Sequence, residues 1–475
     1  MHDIVIIGAG VVGATIAREL SKYKVDVLVL DKENDVGNVT SMANSAIVHS
    51  GYDPKPGSKK AFHNVRGNKL YDEITSDLDV EFKRIGSLTC AINEEELEVI
   101  KNYVPRSKEN GVEVKLLNKE ETKELEPFIS DNVIASLYAP TAGIINPFEL
   151  TVATMENAMD NGVKLSLNTE VIDVVKSENG YVVKTNVGDF EAKVVINSAG
   201  LYSDKIAKML NIDHFEIKPR KGEYFVLDHF KQPFVTHVIF PTPTAKGKGI
   251  LVTPTTHGNY LVGPSSEWCE KKDDLSTDKL TLDAVRSSSS TLVSNIPFQY
   301  MIRQFSGLRA TGSTGDFVIE NHNGFIVLGG IESPGLASAP SIALEVVDLV
   351  KENLELVSNE NFNPKRRKVN RLANMSEEER NELIKKDPRY GRIVCRCESI
   401  SEGEVVDAIH RNAGATTVKG VKKRCRPGFG KCQGGFCEPL IVEILSRELN
   451  IDPLDIRYDK KNAYILQSET KGGNK

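Results

Sequence analysis

The fold is decided by residues 1–31, MHDIVIIGAGVVGATIARELSKYKVDVLVLD. Residues 4–7 form a short β-branched run that predicts a buried strand, and residues 25–30 predict a second one. Between them, residues 14–22 carry Ile, Ala and Leu at the spacing of one helix face. The N-terminus therefore predicts a strand–helix–strand unit of an α/β fold.

Three glycines, Gly8, Gly10 and Gly13, join the first strand to the helix in the pattern G-x-G-x-x-G. In such a unit they permit a tight turn, the approach of a pyrophosphate to the backbone, and close packing of the helix on the strand. The helix N-terminus attracts the phosphates, and Asp31, which ends the second strand, is placed to bind a ribose diol. A glycine-rich surface turn is the alternative, but the order of the elements favours a dinucleotide site.

The composition is that of a soluble globular protein. The 475 residues are 40% hydrophobic and 27% charged with a net charge of −6, and they are enough for two or three domains. The negative charge disfavours nucleic acid as a partner, and no apolar run is long enough for a membrane span. Because the first strand begins by residue 4 without a basic leader, we expect no signal peptide and a cytoplasmic location.

Five of the seven cysteines lie towards the C-terminus: Cys395, Cys397, Cys425, Cys432 and Cys437. In a reducing compartment such a cluster indicates metal binding before disulfides. Thiolates suit an iron–sulfur cluster, because its irons are held by soft anionic sulfurs. A structural zinc also accepts four thiolates and is the alternative, although a C-x-C pair is less typical of zinc sites.

Residues 37–53, GNVTSMANSAIVHSGYD, are rich in small and hydroxyl side chains. Here the sequence resembles the family of flavin-dependent oxidoreductases that includes D-amino-acid oxidase, glycine oxidase and FAD-linked glycerol-3-phosphate dehydrogenase. The resemblance implies FAD as the cofactor, a Rossmann-like FAD-binding domain and a substrate domain built on an antiparallel sheet. A solvated Ser/Asn loop is the alternative for this segment taken alone.

The resemblance also implies which residues contact FAD. They are Gly8, Gly10, Val12, Gly13, Asp31, Thr40, Ser41, Asn44, Ser45, Val171, Gly200, Gly330, Gly335 and Leu336. A helix that opens at Ala339 and Pro340 and runs to about residue 354 is expected to aim its N-terminus at the flavin pyrimidine ring. This placement is physically reasonable, since a helix N-terminus stabilises the negative charge of a reduced flavin.

His49 and His257 are the candidates for a catalytic base that takes the hydroxyl proton of the substrate. For each, a histidine hydrogen-bonded in the core or at the surface is the alternative. Arg309 matches the anion-binding arginine of the family and is expected to act in both catalysis and substrate binding. The other substrate-binding candidates are Tyr52 and Lys221, with Arg220, Lys246 and Lys248 ranked below them.

The pairs Cys395/Cys397 and Cys432/Cys437 resemble the bacterioferritin-associated-ferredoxin-like domain, a small helical module that carries a 2Fe–2S cluster. The resemblance implies these four cysteines as the ligands and ranks Cys425 below them. The second pair, Cys432 and Cys437, has four intervening residues, whereas the stand-alone ferredoxin has two. The wider spacing resembles that of flavin dehydrogenases that carry this module at the C-terminus.

Together these patterns predict an order of domains along the chain. The FAD-binding domain comprises residues 1–75, 145–205 and 305–358, and the substrate domain comprises residues 76–144 and 206–304. A linker at residues 359–391 leads to the iron–sulfur domain at residues 392–450, and a tail at residues 451–475 follows.

The resemblance is strongest to FAD-linked glycerol-3-phosphate dehydrogenases that carry the cysteine module. It implies oxidation of sn-glycerol 3-phosphate to dihydroxyacetone phosphate, with electrons leaving through the cluster to an acceptor protein, a quinone or a partner subunit. Attachment to a membrane periphery through that acceptor is left open. The alternatives are a 2-hydroxy acid dehydrogenase, an amine or opine oxidase, and a non-catalytic flavin and iron–sulfur electron carrier.

Overall fold

The computed structural model describes residues 1–243, 249–469 and 471. Lys246 and Lys248, two of the weaker substrate-binding candidates, lie outside the described residues. Within the described part of the chain, no helix combines the length and apolar character needed to cross a bilayer.

The N-terminal unit forms as predicted and lies inside an eight-stranded sheet. Its first strand, His2–Ile7, pairs in parallel with Val27–Leu30 on one side and with Gly188–Asn197 on the other. Lys164–Ser166 and Phe325–Gly329 continue the parallel part. Antiparallel strands complete the sheet: Val171–Ser177, Gly180–Thr185 and Val318–His322.

Successive side chains of the first strand enter two separate cores, as the period of two in a strand requires. Ile4 and Ile6 pack on the face covered by three helices, Val11–Leu20, Pro147–Asp160 and Gly335–Lys351. Val5 and Ile7 enter the opposite core, to which the helix Ser203–Lys208 contributes. The sheet is therefore covered on both faces, which is the usual arrangement for parallel strands.

The second sheet has nine strands and confirms the predicted antiparallel sheet. Its only parallel pairing among the described residues joins Val238–Pro241 to Ser87–Ala91. The other strands are Lys115–Asn118, Ala135–Ala139, Ile217–Leu227, Leu251–Pro254, Tyr260–Gly263, Glu267–Trp268 and Met301–Gly312. A small third sheet consists of Ile47–Val48, Phe82–Arg84 and Gly143–Ile145.

Four further helices flank these sheets: Lys59–Asp77, Glu94–Glu109, Lys119–Leu125 and Lys279–Ser289. The last of these lies within residues 206–304, where the sequence predicts an antiparallel sheet, and is a helix that the prediction does not include. The Asp278 side chain accepts a hydrogen bond from the Thr281 backbone N–H and caps this helix. Leu282 and Val285, three positions apart, bury one side of this helix against the second sheet. This spacing is a short amphipathic pattern typical of a surface helix.

The charged segment at residues 359–391, predicted as a linker, also contains regular structure. Its helix Glu377–Lys386 begins with a capping box between Ser376 and Glu379. The cysteine-bearing module then folds from the short strands Ile393–Cys395 and Ile400–Ser401 and from three helices, Glu402–His410, Val418–Cys425 and Glu438–Leu449.

Buried ion pairs attach this module to the first domain. Glu156 on the helix Pro147–Asp160 binds Arg366 and Arg411, with nitrogen–oxygen distances of 2.7 Å in both pairs. Asp35 binds Lys423 and Arg424, again at 2.7 Å. Because all of these side chains are almost fully buried, the module is fixed against the first domain by charge as well as by packing.

Candidate active site

The glycine turn has no room for side chains at two of its positions. Gly8 has φ +106°, and a Cβ there would lie 2.6 Å from the backbone oxygen of Ser198. A Cβ on Gly13 would lie 2.0 Å from the Gly8 carbonyl oxygen. These two glycines therefore set the turn and the helix packing, as the sequence predicts.

Asp31 stabilises the glycine turn through hydrogen bonds to the backbone. Its carboxylate accepts hydrogen bonds from the backbone N–H groups of Ala9, at 2.6 Å, and Glu33, at 2.9 Å. Burial raises the pKa of Asp31 to about 6, although these two hydrogen bonds favour the ionised form. One carboxylate oxygen of Asp31 thus binds the backbone of the glycine turn. This contact is additional to the hydrogen bonds with a ribose diol that the sequence predicts for Asp31.

The hydroxyl-rich segment closes over the helix N-terminus. Ser41 Oγ accepts a hydrogen bond from the Val11 N–H at 2.9 Å, and Thr40 Oγ1 donates one to the Leu308 carbonyl, also at 2.9 Å. Asn44 braces the segment internally, because it donates to the Ser41 carbonyl and accepts from the Ala46 N–H. These side chains build the wall of the site before any ligand contact is considered.

A cavity of about 420 Å³ lies beneath this segment, within the range of cofactor and small-molecule sites. The structure brings to it twelve of the residues proposed from the sequence: Gly10, Val12, Thr40, Ser41, Asn44, Ser45, His49, Gly200, Arg220, Arg309, Gly335 and Leu336. Gly8, Gly13, Asp31, Val171 and Gly330 do not line it. Of these, Gly8, Gly13 and Asp31 support the turn, as described above.

The helix Gly335–Lys351 meets the cavity with its first residues, as expected for a helix aimed at a flavin. It begins at Gly335, four residues before the predicted start at Ala339, so Pro340 lies inside the helix. Pro340 has no N–H to donate to the Leu336 carbonyl, and the buried Tyr71 hydroxyl donates to that oxygen instead, at 2.5 Å. This replacement explains how the helix extends past the proline towards the cavity.

Positive charge is concentrated at one part of the cavity. Arg220 and Arg309 are direct cross-strand neighbours, and both line the cavity. Burial, together with the charge of Arg309, lowers the pKa of Arg220. Lys60 also lines it, but an ion pair of 2.9 Å with Glu332 compensates its charge. The two arginines therefore form the anion-attracting part of the site.

His49 is held in the same cavity by its backbone and its ring. Asn64 and Asn68 both donate hydrogen bonds to its carbonyl oxygen. The imidazole stacks against Phe240 with 5.8 Å between ring centroids, and its Nε2 lies 3.4 Å from Ser333 Oγ. A histidine held in this way in a ligand-sized cavity is a candidate base on geometric grounds.

Three other candidates are not brought to this cavity. Lys221 binds Asp274 at 3.2 Å and lies next to Arg220 on one strand, so its side chain enters the opposite face. Tyr52 is buried in another core, where its hydroxyl meets Thr89 Oγ1 at 2.5 Å. His257 lines a different cavity, and burial together with nearby cationic side chains lowers its pKa to about 3.

Sequence reasoning also missed several residues of the site. Lys60, Glu332 and Tyr224 line the cavity from three distant parts of the chain. The Tyr224 hydroxyl lies 3.0 Å from Ser45 Oγ, and its ring stacks on Phe305 at 4.6 Å. Tyr224 lies on the strand Ile217–Leu227, which also carries Arg220 and Lys221.

The proposed cysteine ligands lie in two close pairs. Cys397 and Cys432 have their sulfurs 3.7 Å apart, and a hydrogen bond between Cys395 and Cys437 lowers the pKa of Cys395 to about 6. No three His, Cys, Asp or Glu side chains converge as a metal-binding group in the described ranges. Two thiolates per iron is the ligand arrangement of a 2Fe–2S cluster, so the four residues fit that group.

Cys425 differs from these four residues in its contacts. Its thiol hydrogen-bonds to the Val421 carbonyl within its own helix, and burial raises its pKa well above the ordinary value. These contacts are consistent with its lower rank among the ligand candidates.

Comparison with known proteins gives matches to both parts of the chain. Residues 3–349 match the family model "FAD dependent oxidoreductase", and residues 393–447 match "BFD-like [2Fe-2S] binding domain". A glycerol 3-phosphate dehydrogenase of Caloramator mitchellensis is 48% identical over 476 residues, covering 99% of each chain. A mitochondrial L-2-hydroxyglutarate dehydrogenase of Arabidopsis thaliana is 30% identical and covers 73% of this chain and 83% of that one.

Among solved structures, the fold is similar to dithionite-reduced L-alpha-glycerophosphate oxidase from Mycoplasma pneumoniae with FAD bound. The TM-score is 0.74 at 32% identity, covering 98% of the oxidase but 77% of this chain. Nearly all of the oxidase therefore has a counterpart here, whereas part of this chain has none there.

Proposed function

The chain belongs to the family of FAD-dependent oxidoreductases and carries a BFD-like [2Fe-2S] binding domain, and from this premise we propose that it oxidises sn-glycerol 3-phosphate to dihydroxyacetone phosphate. The observation that carries the proposal is the pairing of Arg220 and Arg309 in the cavity that also holds His49. Two adjacent guanidinium groups suit a phosphate dianion, which each can bind through two N–H donors. The full-length relative named for this substrate supports the same choice.

The residues of the chain divide the reaction between them. Arg309 and Arg220 hold the phosphate and thereby orient the secondary alcohol. His49 accepts the proton of the C2 hydroxyl as the carbonyl forms. When bound, FAD supplies the acceptor at N5 for the hydride that leaves C2, and the cluster supplies a one-electron carrier. Gly335 and Leu336 direct a helix N-terminus at the cavity, where it stabilises negative charge.

Electrons are proposed to leave through the cysteine module to a separate acceptor. Cys397 is exposed and Cys432 is half-buried, so the cluster position reaches the surface of the module. An acceptor protein, a quinone and a partner subunit all fit this exit. The Mycoplasma oxidase matches the flavin-binding part of the chain, and the presence of the additional module supports transfer to a carrier rather than to oxygen.

A 2-hydroxy acid is the second candidate substrate. The observation in its favour is the similarity to a protein named L-2-hydroxyglutarate dehydrogenase over 73% of this chain. A carboxylate binds the same two arginines, and the same base serves a secondary alcohol beside it. The substrate, rather than the reaction type, separates the two proposals.

The test is anaerobic mixing of the purified holoenzyme with each substrate while flavin absorbance is followed near 450 nm. We expect prompt bleaching with glycerol 3-phosphate and none with 2-hydroxyglutarate. In Arg309→Met the apparent substrate affinity should fall about 10- to 100-fold, the cost of losing a charge-assisted hydrogen bond. Lys218→Met, on the neighbouring strand that pairs with that of Arg309 but exposed, is the matched control and should behave as wild type. Bleaching by the hydroxy acid alone would contradict the proposal in favour of the second candidate.

A further inference from the structure

A second cavity, of about 360 Å³, lies where the two larger domains meet the cysteine module. Ala43, Asn44 and Ala46 line both this cavity and the first one, so a single turn of the hydroxyl-rich segment separates them. On the opposite side, residues 426–433 form its wall, and Gly430 in that loop approaches the Cys397 side chain. The second cavity therefore lies between the flavin site and the thiol pairs.

The charged side chains that line this cavity are all basic. They are Arg303, Lys419, Lys422, Lys423 and Arg426. No Asp or Glu is among its lining residues in the described part of the chain. Three of the five have carboxylate partners behind the wall: Lys419 with Asp459, Lys423 with Asp35, and Arg426 with Glu398.

Lys422 and Arg303 form no such ion pair, and the nearby charge of Glu438 offsets that of Lys422 only in part. Lys422 is 6% exposed, and its ammonium donates to the Gly428 carbonyl at 2.8 Å, while Arg303 donates to the Gln433 side-chain oxygen at 3.2 Å. Neither makes an ion pair with a carboxylate among residues 1–243, 249–469 and 471. Burial and the charge of Arg303 lower the pKa of Lys422 to about 8. Two cations that repel each other in a desolvated space are costly unless an anion joins them.

The rest of the wall combines aromatic and aliphatic side chains with uncharged polar ones. Phe148 and Phe429 stack at 5.6 Å with an interplanar angle of 15°, and the Lys422 ammonium lies 4.7 Å above the Phe429 ring. Leu261, Leu275 and Phe305 line the remainder together with threonine and amide side chains. A ligand that matches this surface has an anionic end and a flat apolar body.

We propose that this second cavity is a binding site for a phosphate-bearing small molecule with an aromatic ring system, whose phosphate binds Lys422 and Arg303. The phosphate supplies the missing negative charge, and the ring packs on the aromatic wall. The site is distinct from the substrate cavity, because neither Arg220 nor Arg309 lines it and neither Lys422 nor Arg303 lines the first. This inference does not depend on the identity of the oxidised substrate.

The test is calorimetric titration of the holoenzyme, loaded with FAD and cluster, using inorganic phosphate and adenosine monophosphate as probes. We expect adenosine monophosphate to bind at least tenfold more tightly than inorganic phosphate. Lys422→Met and, independently, Arg303→Met should each weaken its binding about tenfold or more, the loss of one charge-assisted hydrogen bond. Arg303 is less buried than Lys422, so its variant keeps the test valid if Lys422→Met does not fold.

Two controls locate the binding. Arg309→Met changes the substrate cavity alone and should leave adenosine monophosphate affinity within twofold of wild type, as should the exposed Lys279→Met. The proposal is overturned if the wild type binds neither probe, if Lys422→Met and Arg303→Met bind as wild type does, or if Arg309→Met alone abolishes binding. Equal affinity for both probes would overturn the assignment of an aromatic ligand.

Discussion

Glu156 is the residue whose replacement most directly tests how the cysteine module is attached. Its carboxylate is 2% exposed and binds two arginines that are themselves 5% exposed, Arg366 from the charged segment and Arg411 from the module. Glu156→Gln keeps the shape of the side chain and removes its charge. Both guanidinium groups then remain buried against a neutral amide.

The expected loss follows from these contacts. Removing one partner of a buried ion pair costs about 3–5 kcal/mol. The lower end applies because Arg411 keeps its pair with Asp407, at 2.6 Å, and glutamine retains one acceptor oxygen. About 3 kcal/mol corresponds to a fall in the melting temperature of about 6–12 °C for a unit of 150–250 residues.

The assay is differential scanning calorimetry of the holoenzyme, with flavin and cluster absorbance recorded on the same samples. Glu382→Gln is the matched control, because Glu382 pairs with Lys385 at the surface, where both side chains are more than 60% exposed. We expect that control to shift the melting temperature by about 2 °C or less. A Glu156→Gln transition within 2 °C of wild type would refute the view that this buried charge fixes the module.

Three further outcomes follow from the site. Gly13→Ala should lose most of its bound flavin, read from the ratio of absorbance at 450 and 280 nm, because the new Cβ meets the Gly8 carbonyl at 2.0 Å. His257→Gln should leave the pH profile of turnover unchanged, since a pKa of about 3 keeps this histidine neutral between about pH 5 and pH 9, whereas His49→Asn should abolish turnover. Cys432→Ser should lose the iron–sulfur absorbance while substrate still bleaches the flavin. Cys425→Ala should keep the cluster, because the Cys425 thiol hydrogen-bonds to the Val421 carbonyl of its own helix. Retention of the cluster in Cys432→Ser or its loss in Cys425→Ala would reverse these assignments.

The predicted features that are confirmed depend on local spacing. The glycine pattern between two β-branched runs specifies a turn, a helix and the residues beside them, so the dinucleotide unit followed from 31 residues, and the resemblance of residues 37–53 to the flavin-dependent family implied FAD. The cysteine spacing likewise led to the 2Fe–2S module. In the glycine turn, covalent connection already places the chemistry together, whereas the thiol pairs also require the module to fold, because Cys397 and Cys432 are 35 positions apart.

Other parts of the site were not predictable for equally physical reasons. Lys221 and Arg220 are adjacent basic residues in the sequence, and only strand register decides that Arg220 faces the cavity. The helix at Gly335 starts before its proline because a tyrosine from the helix Lys59–Asp77 satisfies the freed carbonyl. Such a contact joins residues 265 positions apart, and a single sequence contains no periodic signal for it.

The two cavities and the thiol pairs suggest why this enzyme carries its iron–sulfur domain on the same chain as its flavin site. Ala43 to Ala46 separate the substrate cavity from the second one, and the loop that closes the second cavity also contacts Cys397. Asp35 and Glu156 hold the module in that position through buried charges. If electrons leave through the cluster, as proposed, the distance they cross is therefore set by the fold. Diffusional encounter then matters only at the exposed Cys397 side, where the outside acceptor arrives.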